Sequence, residues 1–129
     1  MLVLDASLGV QACLVADGFA PLGDRLVAPP LWWSEVTSAL HELRFRGSIS
    51  HELAGAAFER LTAAPVAERR HRRLRLEAWR MADQLGWAKT YDAEYVALAR
   101  LLGCRLVTLD GRLRRGAARA VDVVGPTEL

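Results

Sequence analysis

Residues 105–113 have the sequence RLVTLDGRL, in which a short apolar run ends on Asp110 and a glycine. Residues 2–5, LVLD, repeat the pattern near the other end of the chain, where the run ends on Asp5. Such runs, residues 2–4 and 105–109, predict buried strands. In open parallel sheets, ligands bind at the carboxyl ends of the strands. Both aspartates are therefore predicted at the edge where a ligand would bind.

Apolar residues at helical spacing predict helices between these strands. The predicted helices cover residues 6–15, 29–47, 50–65, a segment through 78–85 that ends at Gly86, and 90–103. Ser50 and Thr90 are expected to cap the third and fifth helices. A last short strand is predicted over residues 121–124. Strands that alternate with helices pair in parallel, so the expected fold is a helix-rich, three-layer α/β/α sandwich with a short parallel sheet.

The composition of the chain is that of one globular domain over residues 1–129. Of the 129 residues, 52% are hydrophobic and 25% are charged, and no linker or repeat divides them. The net charge of +2 excludes a polycation that holds nucleic acid by charge alone. Cys13 and Cys104 lie far apart, which predicts free thiols rather than a zinc ribbon or a disulfide. Without a signal peptide or an apolar span, the protein is expected to be cytoplasmic and to have no membrane partner.

Two further carboxylates fall on the apolar sides of predicted helices. Glu35 is three residues after Trp32 and four before Ala39, so it shares their helix face. Asp92 lies three residues before Tyr95, which directs it inward from the first turn of its helix. A buried carboxylate is costly unless something pairs with it. The two helix acids and the two strand-end aspartates are expected to meet at one rim.

Each acid also has a purely structural explanation. Asp5 would cap the first helix, Asp92 would complement a helix dipole, and residues 110–111 would form a turn. Glu35 would need an arginine partner from residues 44–46. The joint pattern of four acids therefore matters more than any one of them.

Four carboxylates that meet must be neutralised by protons or cations, because they repel one another. An all-oxygen set without nearby His or Cys favours Mg²⁺ or Mn²⁺ over zinc. Such ions bind phosphate oxygens and activate water for in-line displacement. The residues therefore indicate metal-assisted hydrolysis of phosphodiester bonds.

Four segments give the chain a resemblance to a known family. They are residues 3–7 (VLDAS), 29–36 (PPLWWSEV), 90–99 (TYDAEYVALA) and 107–113 (VTLDGRL). Over essentially its whole length the chain resembles the PIN-domain nucleases, and most closely the VapC-type ribonuclease toxins of bacterial toxin–antitoxin pairs.

The resemblance implies an activity, a site and partners. It implies an endoribonuclease that cleaves single-stranded regions of RNA with Mg²⁺ or Mn²⁺, forms a homodimer and is silenced by a cognate antitoxin that covers the pocket. The implied catalytic and metal-binding residues are Asp5, Glu35, Asp92 and Asp110. Ser7 and Thr108 are implied to orient the carboxylates or water. Glu94 occupies a variable place in the motif and is not assigned as a ligand.

Ten of the 16 arginines fall into two groups. The first comprises Arg69, Arg70, Arg72, Arg73, Arg75 and Arg80, and the second Arg112, Arg114, Arg115 and Arg119. Guanidinium groups match phosphate oxygens, so both groups are candidates for binding the RNA backbone. Arg112, Arg114 and Arg115 are the stronger candidates because they follow Asp110. A solvated helix face is the alternative for the first group.

Two other classes of protein compete with a nuclease. A catalytically inactive PIN-like module that binds RNA or protein is disfavoured because all four acids are present. A phospho-receiver domain needs a Lys after its last core strand, whereas Lys89 precedes a helix. P-loop and dinucleotide-binding motifs are absent from the sequence.

Overall fold

A computed structural model describes residues 1–23 and 25–129. Five strands form one sheet in the order β3-β2-β1-β4-β5, and every neighbouring pair is parallel. The strands are β1 Leu2–Leu4, β2 Leu26–Ala28, β3 Val66–Glu68, β4 Arg105–Val107 and β5 Val123–Val124. In the central register Val3 lies between Val27 and Leu106. This order places the strand ends that precede Asp5 and Thr108 side by side.

Six α-helices surround the sheet. They are α1 Ala6–Leu14, α2 Leu31–Phe45, α3 His51–Thr62, α4 Leu74–Leu85, α5 Tyr91–Leu102 and α6 Gly111–Ala117. Helices α1, α2 and α3 contact one another, and α4 packs on α5. With this strand order, the general rule that crossovers are right-handed assigns α1–α3 to one face of the sheet and α4–α6 to the other. The predicted helix-rich α/β sandwich is confirmed. Among the described residues, no helix is both long and apolar enough to cross a membrane.

Two strands and one helix were not predicted from the sequence. Strands β2 and β3 have only three residues each, too few to establish an alternating pattern. They add to the sheet because parallel pairing with β1 and β2 satisfies their backbone groups. Helix α6 begins directly after Asp110, where we considered only a turn.

Some predicted element ends differ from the structure. Ser50 caps α3 as predicted, accepting from the Leu53 N–H at 3.0 Å. The prediction that Thr90 caps α5 is wrong, because its side chain makes no capping hydrogen bond and its backbone is already helical. Strand β4 ends at Val107, before Thr108 and Leu109, because the Thr108 hydroxyl binds the chain that turns into α6.

Trp32 fixes the start of α2 against the end of β1. Its side chain is fully buried, and its indole N–H donates to the Asp5 carbonyl at 3.0 Å. Gly9 leaves room for the ring, since a Cβ at that position would lie 2.6 Å from Trp32 Cζ2. This contact ties α2, which carries Glu35 one turn later, to the backbone of Asp5.

Both cysteines are free thiols, as predicted. Cys13 is buried and Cys104 is half-buried. Burial raises the pKa of the Cys13 thiol to about 11. A thiol that remains protonated at neutral pH is a poor nucleophile, so Cys13 belongs to the core.

Candidate active site

Asp5 follows β1 and is almost fully buried, with 4% of its surface exposed. Its Oδ1 atom accepts from the Leu8 N–H at 3.2 Å and so caps α1. The structural explanation considered for Asp5 is therefore correct. The cap occupies only part of the carboxylate, which has further oxygen lone pairs available at the sheet edge.

Two hydroxyl groups hold the Asp5 carboxylate. Ser7 Oγ lies 2.9 Å from each carboxylate oxygen, and Thr108 Oγ1 donates to Oδ2 at 2.6 Å. The same Thr108 hydroxyl accepts from the Asp110 N–H at 2.9 Å. The Thr108 hydroxyl therefore connects the two strand-end aspartates. It binds the side chain of Asp5 and the backbone N–H of Asp110.

Asp110 begins α6 as its N-terminal cap. Its Oδ1 atom accepts from the backbone N–H groups of Arg112 at 2.8 Å and Leu113 at 3.3 Å. The turn considered as the structural explanation for residues 110–111 is not formed, because the chain continues as a helix. Within the described residues, Oδ2 has no hydrogen-bond partner, so half of this carboxylate is open to a ligand.

Glu35 is half-buried on α2 and accepts from the Tyr95 hydroxyl at 2.5 Å. The arginine partner considered as the structural alternative is not present among the described residues, and Arg44 instead contacts His41 at 2.9 Å. Tyr95 is only 1% exposed. The sequence predicted Tyr95 as a core residue and missed its polar contact. A buried tyrosine hydroxyl needs a partner, which was the available signal.

Asp92 lies in the first turn of α5, and its side chain is exposed at the rim of a cleft. The inward orientation predicted from its helical phase is therefore wrong. Partial burial at the cleft wall and the charge of Asp110 raise the pKa of Asp92, and the opposing charge of Arg112 does not cancel them. Asp92 thus lies at the wall of the cleft rather than in the core.

Three of the four predicted acids line this one cleft, which has a volume of about 590 Å³. They are Glu35, Asp92 and Asp110. Asp5 lies behind the lining and is linked to Asp110 through Thr108. The structure therefore brings residues from β1, α2, α5 and the start of α6 together.

Three carboxylates of the cluster, Asp5, Glu35 and Asp92, have raised pKa values. Burial is the largest cause of the raised pKa of Asp5, Glu35 and Asp92. Negative charge adds to it: Asp110 raises the pKa of Asp5 and of Asp92, and Asp92 raises that of Glu35. The opposing hydrogen bonds and the Arg112 charge do not outweigh these effects. The four acids form one electrostatic cluster that is short of positive charge.

The donor set fits a hard divalent cation, although it is not a complete cage. Among the described residues, no three Asp, Glu, His or Cys side chains are close enough to hold one ion between them. Mg²⁺ is usually held by one or two carboxylates together with water and substrate phosphates, so a complete protein cage is not required. Carboxylate oxygens without His or Cys are the ligands such an ion prefers.

The two arginine groups are engaged differently. Arg112 lines the cleft, whereas Arg114 forms a two-point ion pair with Glu128, with Nη2 and Oε2 2.8 Å apart. In the 69–80 group, Arg73 and Arg80 both bind Glu77. Of these arginines, Arg112 is the one best placed to contact a ligand in the cleft.

Comparison with known proteins agrees with this geometry. A PIN domain family model matches residues 14–119. VapC ribonuclease Mb0985 of Mycobacterium bovis and ribonuclease VapC9 of Mycobacterium tuberculosis are each 38% identical over 121 residues, covering 88% of this chain and 88% of theirs. PAE2754 from Pyrobaculum aerophilum shares the fold, with a TM-score of 0.76 and 22% identity over 98% of this chain and 90% of that one.

The chain belongs to the PIN domain family. Within that family its sequence relatives place it among the VapC-type members. The resemblance noted in the sequence is thus confirmed.

Proposed function

We propose that this chain is a Mg²⁺- or Mn²⁺-dependent endoribonuclease and the toxin of a toxin–antitoxin pair, acting as a single domain over residues 1–129. The observation that carries the proposal is a cluster of four carboxylates, of which Glu35, Asp92 and Asp110 line one cleft and Asp5 lies behind it, linked to Asp110 through Thr108. The relatives named VapC ribonucleases support RNA as the substrate.

The residues proposed to hold the metal and to be catalytic are Asp5, Glu35, Asp92 and Asp110. When bound, the ion would supply Lewis-acid polarisation of the phosphate and a water of lowered pKa. Ser7 and Thr108 orient Asp5 through their hydroxyl groups, and Tyr95 does the same for Glu35.

Arg112 is the proposed phosphate contact beside the acids. It is exposed, lines the cleft and lies close enough to Asp92 to affect its pKa. Arg115 is exposed on the same helix and would extend this contact along the RNA backbone. Arg114 is a weaker candidate because Glu128 already occupies its guanidinium group.

The proposed partners are RNA, a cognate antitoxin and a second copy of the chain. The VapC-type relatives support the RNA and the antitoxin. The second copy is proposed from the family resemblance alone. An antitoxin that covers the cleft would silence the enzyme by excluding RNA from the four acids. We propose a cytoplasmic location, where such a pair meets its RNA.

The experiment is RNA cleavage by purified protein with Mg²⁺ or Mn²⁺, with and without EDTA, beside Asp5→Asn and Asp92→Asn. Both substitutions keep the shape of the side chain and remove its charge. We expect metal-dependent cleavage that each substitution lowers by about 10²–10³-fold or more, because transition-state charge loses a preorganised partner. Glu52→Gln, an exposed change on α3, is the matched control and should cleave like the unaltered chain.

The alternative is a catalytically inactive PIN-like module that binds RNA or protein. Cleavage that persists in EDTA or in both Asn variants would contradict the metal–carboxylate mechanism. RNA binding of the unaltered chain without cleavage, in either metal, would favour the alternative.

A further inference from the structure

The acidic cleft has a second set of lining residues that the proposed chemistry does not use. They are the aromatic residues Trp87 and Tyr91 and the cationic Lys89, all on the segment from the end of α4 to the start of α5. Tyr91 is 59% exposed, which is unusual for a large aromatic side chain at the wall of a cleft. Lys89 is the only lysine of the chain.

Trp87 is a fixed part of this wall. Its backbone N–H donates to the Ala82 carbonyl at 2.8 Å. Its ring packs on α6 at Gly116, where an added Cβ would lie 2.7 Å from Cζ2. The half-buried indole is therefore held by packing, and its neighbour Tyr91 is the aromatic ring that remains available.

The position of Tyr91 is tied to the acids. It is the first residue of α5 and directly precedes Asp92, so the ring and a proposed metal ligand share one helical turn. Tyr91, Asp92 and Asp110 all line the same cleft. A group that stacks on the Tyr91 ring would thus lie next to the proposed reacting phosphate.

The cationic and aromatic side chains of the cleft wall are complementary to the two parts of a nucleotide, its phosphate and its base. The positive charges of Lys89 and Arg112 attract phosphates, which the carboxylates repel. The uncharged ring of Tyr91 has little attraction for a phosphate. It can instead stack on a nucleobase, because every base has a π-face. A base within a duplex is already stacked on both sides, so an open aromatic ring favours an unpaired base.

We propose that Tyr91 stacks on an unpaired nucleobase that flanks the scissile phosphate, while Lys89 and Arg112 contact the adjoining phosphates. This inference rests on the proposed ribonuclease function and assigns to Tyr91 the contact with a base of the single-stranded RNA that the family resemblance implies. Tyr91 is then a substrate-binding residue of the cleft.

The test measures binding of a short fluorescein-labelled single-stranded RNA by anisotropy in EDTA, so that binding is separated from cleavage. Tyr91→Ala is compared with Tyr91→Phe, which keeps the ring. Phe58→Ala is the matched control, since that ring is 54% exposed on α3 and lines no part of the cleft. We expect Tyr91→Ala to weaken binding roughly 5- to 100-fold, and the other two variants to stay within about 2-fold.

A second arm replaces each nucleotide of the RNA in turn by an abasic one. In the unaltered chain one abasic position should weaken binding as much as Tyr91→Ala does. In Tyr91→Ala the same abasic position should have no further effect, because the two changes remove one contact.

The outcomes separate this inference from the proposed function. Metal-dependent cleavage with unchanged RNA binding by Tyr91→Ala, or additive losses in the abasic arm, would overturn the stacking contact and leave the nuclease standing. Weakened binding by Tyr91→Ala in a chain that cleaves no RNA would support stacking and overturn the nuclease.

Discussion

The two halves of the acidic cluster are held in different ways. In the strand-end half, Asp5 has two hydroxyl donors and a backbone donor, and Thr108 connects it to Asp110. In the helix half, Glu35 accepts one hydrogen bond from within the described residues, that of Tyr95, and Asp92 is exposed beside Arg112. The strand-end half is therefore preorganised by hydrogen bonds, whereas the helix half can adjust when a cation or a substrate arrives.

The largest effect is expected at the connection within the strand-end half. Thr108→Val keeps the side-chain shape but removes the donor to Asp5 and the acceptor for the Asp110 N–H. We expect the affinity for Mn²⁺, measured by calorimetry, and the cleavage rate each to fall about 10- to 100-fold.

Two variants control for that substitution. Thr108→Ser retains the hydroxyl and should recover most of the affinity. Thr62→Val removes a hydroxyl that donates only to the Phe58 carbonyl, at 3.1 Å on an exposed helix, and should change neither quantity. Normal metal affinity in folded Thr108→Val would show that this half is not preorganised by Thr108.

A smaller effect is expected in the helix half. Tyr95→Phe removes the hydroxyl that donates to Glu35, and we expect cleavage to fall about 10-fold. The Tyr95 hydrogen bond lowers the pKa of Glu35, so its loss should raise that pKa further and shift the acidic limb of the pH–rate profile to higher pH.

The pH profile separates positioning of Glu35 from a general packing role for Tyr95. A fall in rate without a shift of the acidic limb would mean that Tyr95 only supports the fold. A loss as large as that of Thr108→Val would remove the contrast between the two halves.

The free energy of unfolding should depend on pH because both halves of the cluster contain carboxylates with raised pKa values. Burial holds the pKa values of Asp5, Glu35 and Asp92 above their ordinary values of 3.8, 4.5 and 3.8. The folded chain thus keeps protons that the unfolded chain releases. These groups therefore lower the free energy of unfolding as the pH rises from about 4 through the raised pKa values.

A bound cation should offset that loss at neutral pH. At about ten times its dissociation constant, Mn²⁺ should add about 1.4 kcal/mol, or a few degrees in Tm, near pH 7, and almost nothing near pH 4. Thermal unfolding with Mn²⁺ or EDTA measures this, and Asp5→Asn should show a smaller difference. An equal rise in Tm at both pH values would indicate that the ion binds elsewhere.

The smallest effect is expected at the arginines. Arg112→Ala should raise KM for RNA several-fold and lower the slope of log affinity against log salt by about one, because one phosphate contact is lost. Arg114→Ala, on the same helix but paired with Glu128, should leave both values nearly unchanged. Equal effects from both substitutions would mean that α6 attracts RNA by overall charge alone.

The sequence predicted the parts of the molecule that repeat a local pattern. Apolar runs ending on Asp5 and Asp110 located β1 and β4, and helical spacing located α1–α5. The three-residue strands β2 and β3 could not be found, because only pairing with their neighbours makes them strands. Local pattern thus predicts elements better than it predicts pairing.

The sequence predicted that the four acids lie near one another, but it did not predict the hydrogen-bond partners and exposure of each. The contact between Tyr95 and Glu35 joins residues 60 positions apart, and no spacing rule contains it. The spacing of Asp92 from Tyr95 predicted that its side chain points toward the core. Spacing alone does not show that the first turn of α5 lies at a cleft, where such a side chain is exposed. The positions of neighbouring helices, rather than local spacing, determine these contacts.

The pairing of β1 with β4 has a consequence for protein synthesis. Residues 2–4 can pair early with β2, but they reach their partners in β4 only when residues 105–107 have left the ribosome. Asp5 cannot meet Thr108 or Asp110 before nearly the whole chain has been made. A nascent chain with a complete Asp5–Glu35 segment therefore lacks an assembled acidic cluster, so the proposed enzyme could not attack its own message until its translation is almost finished.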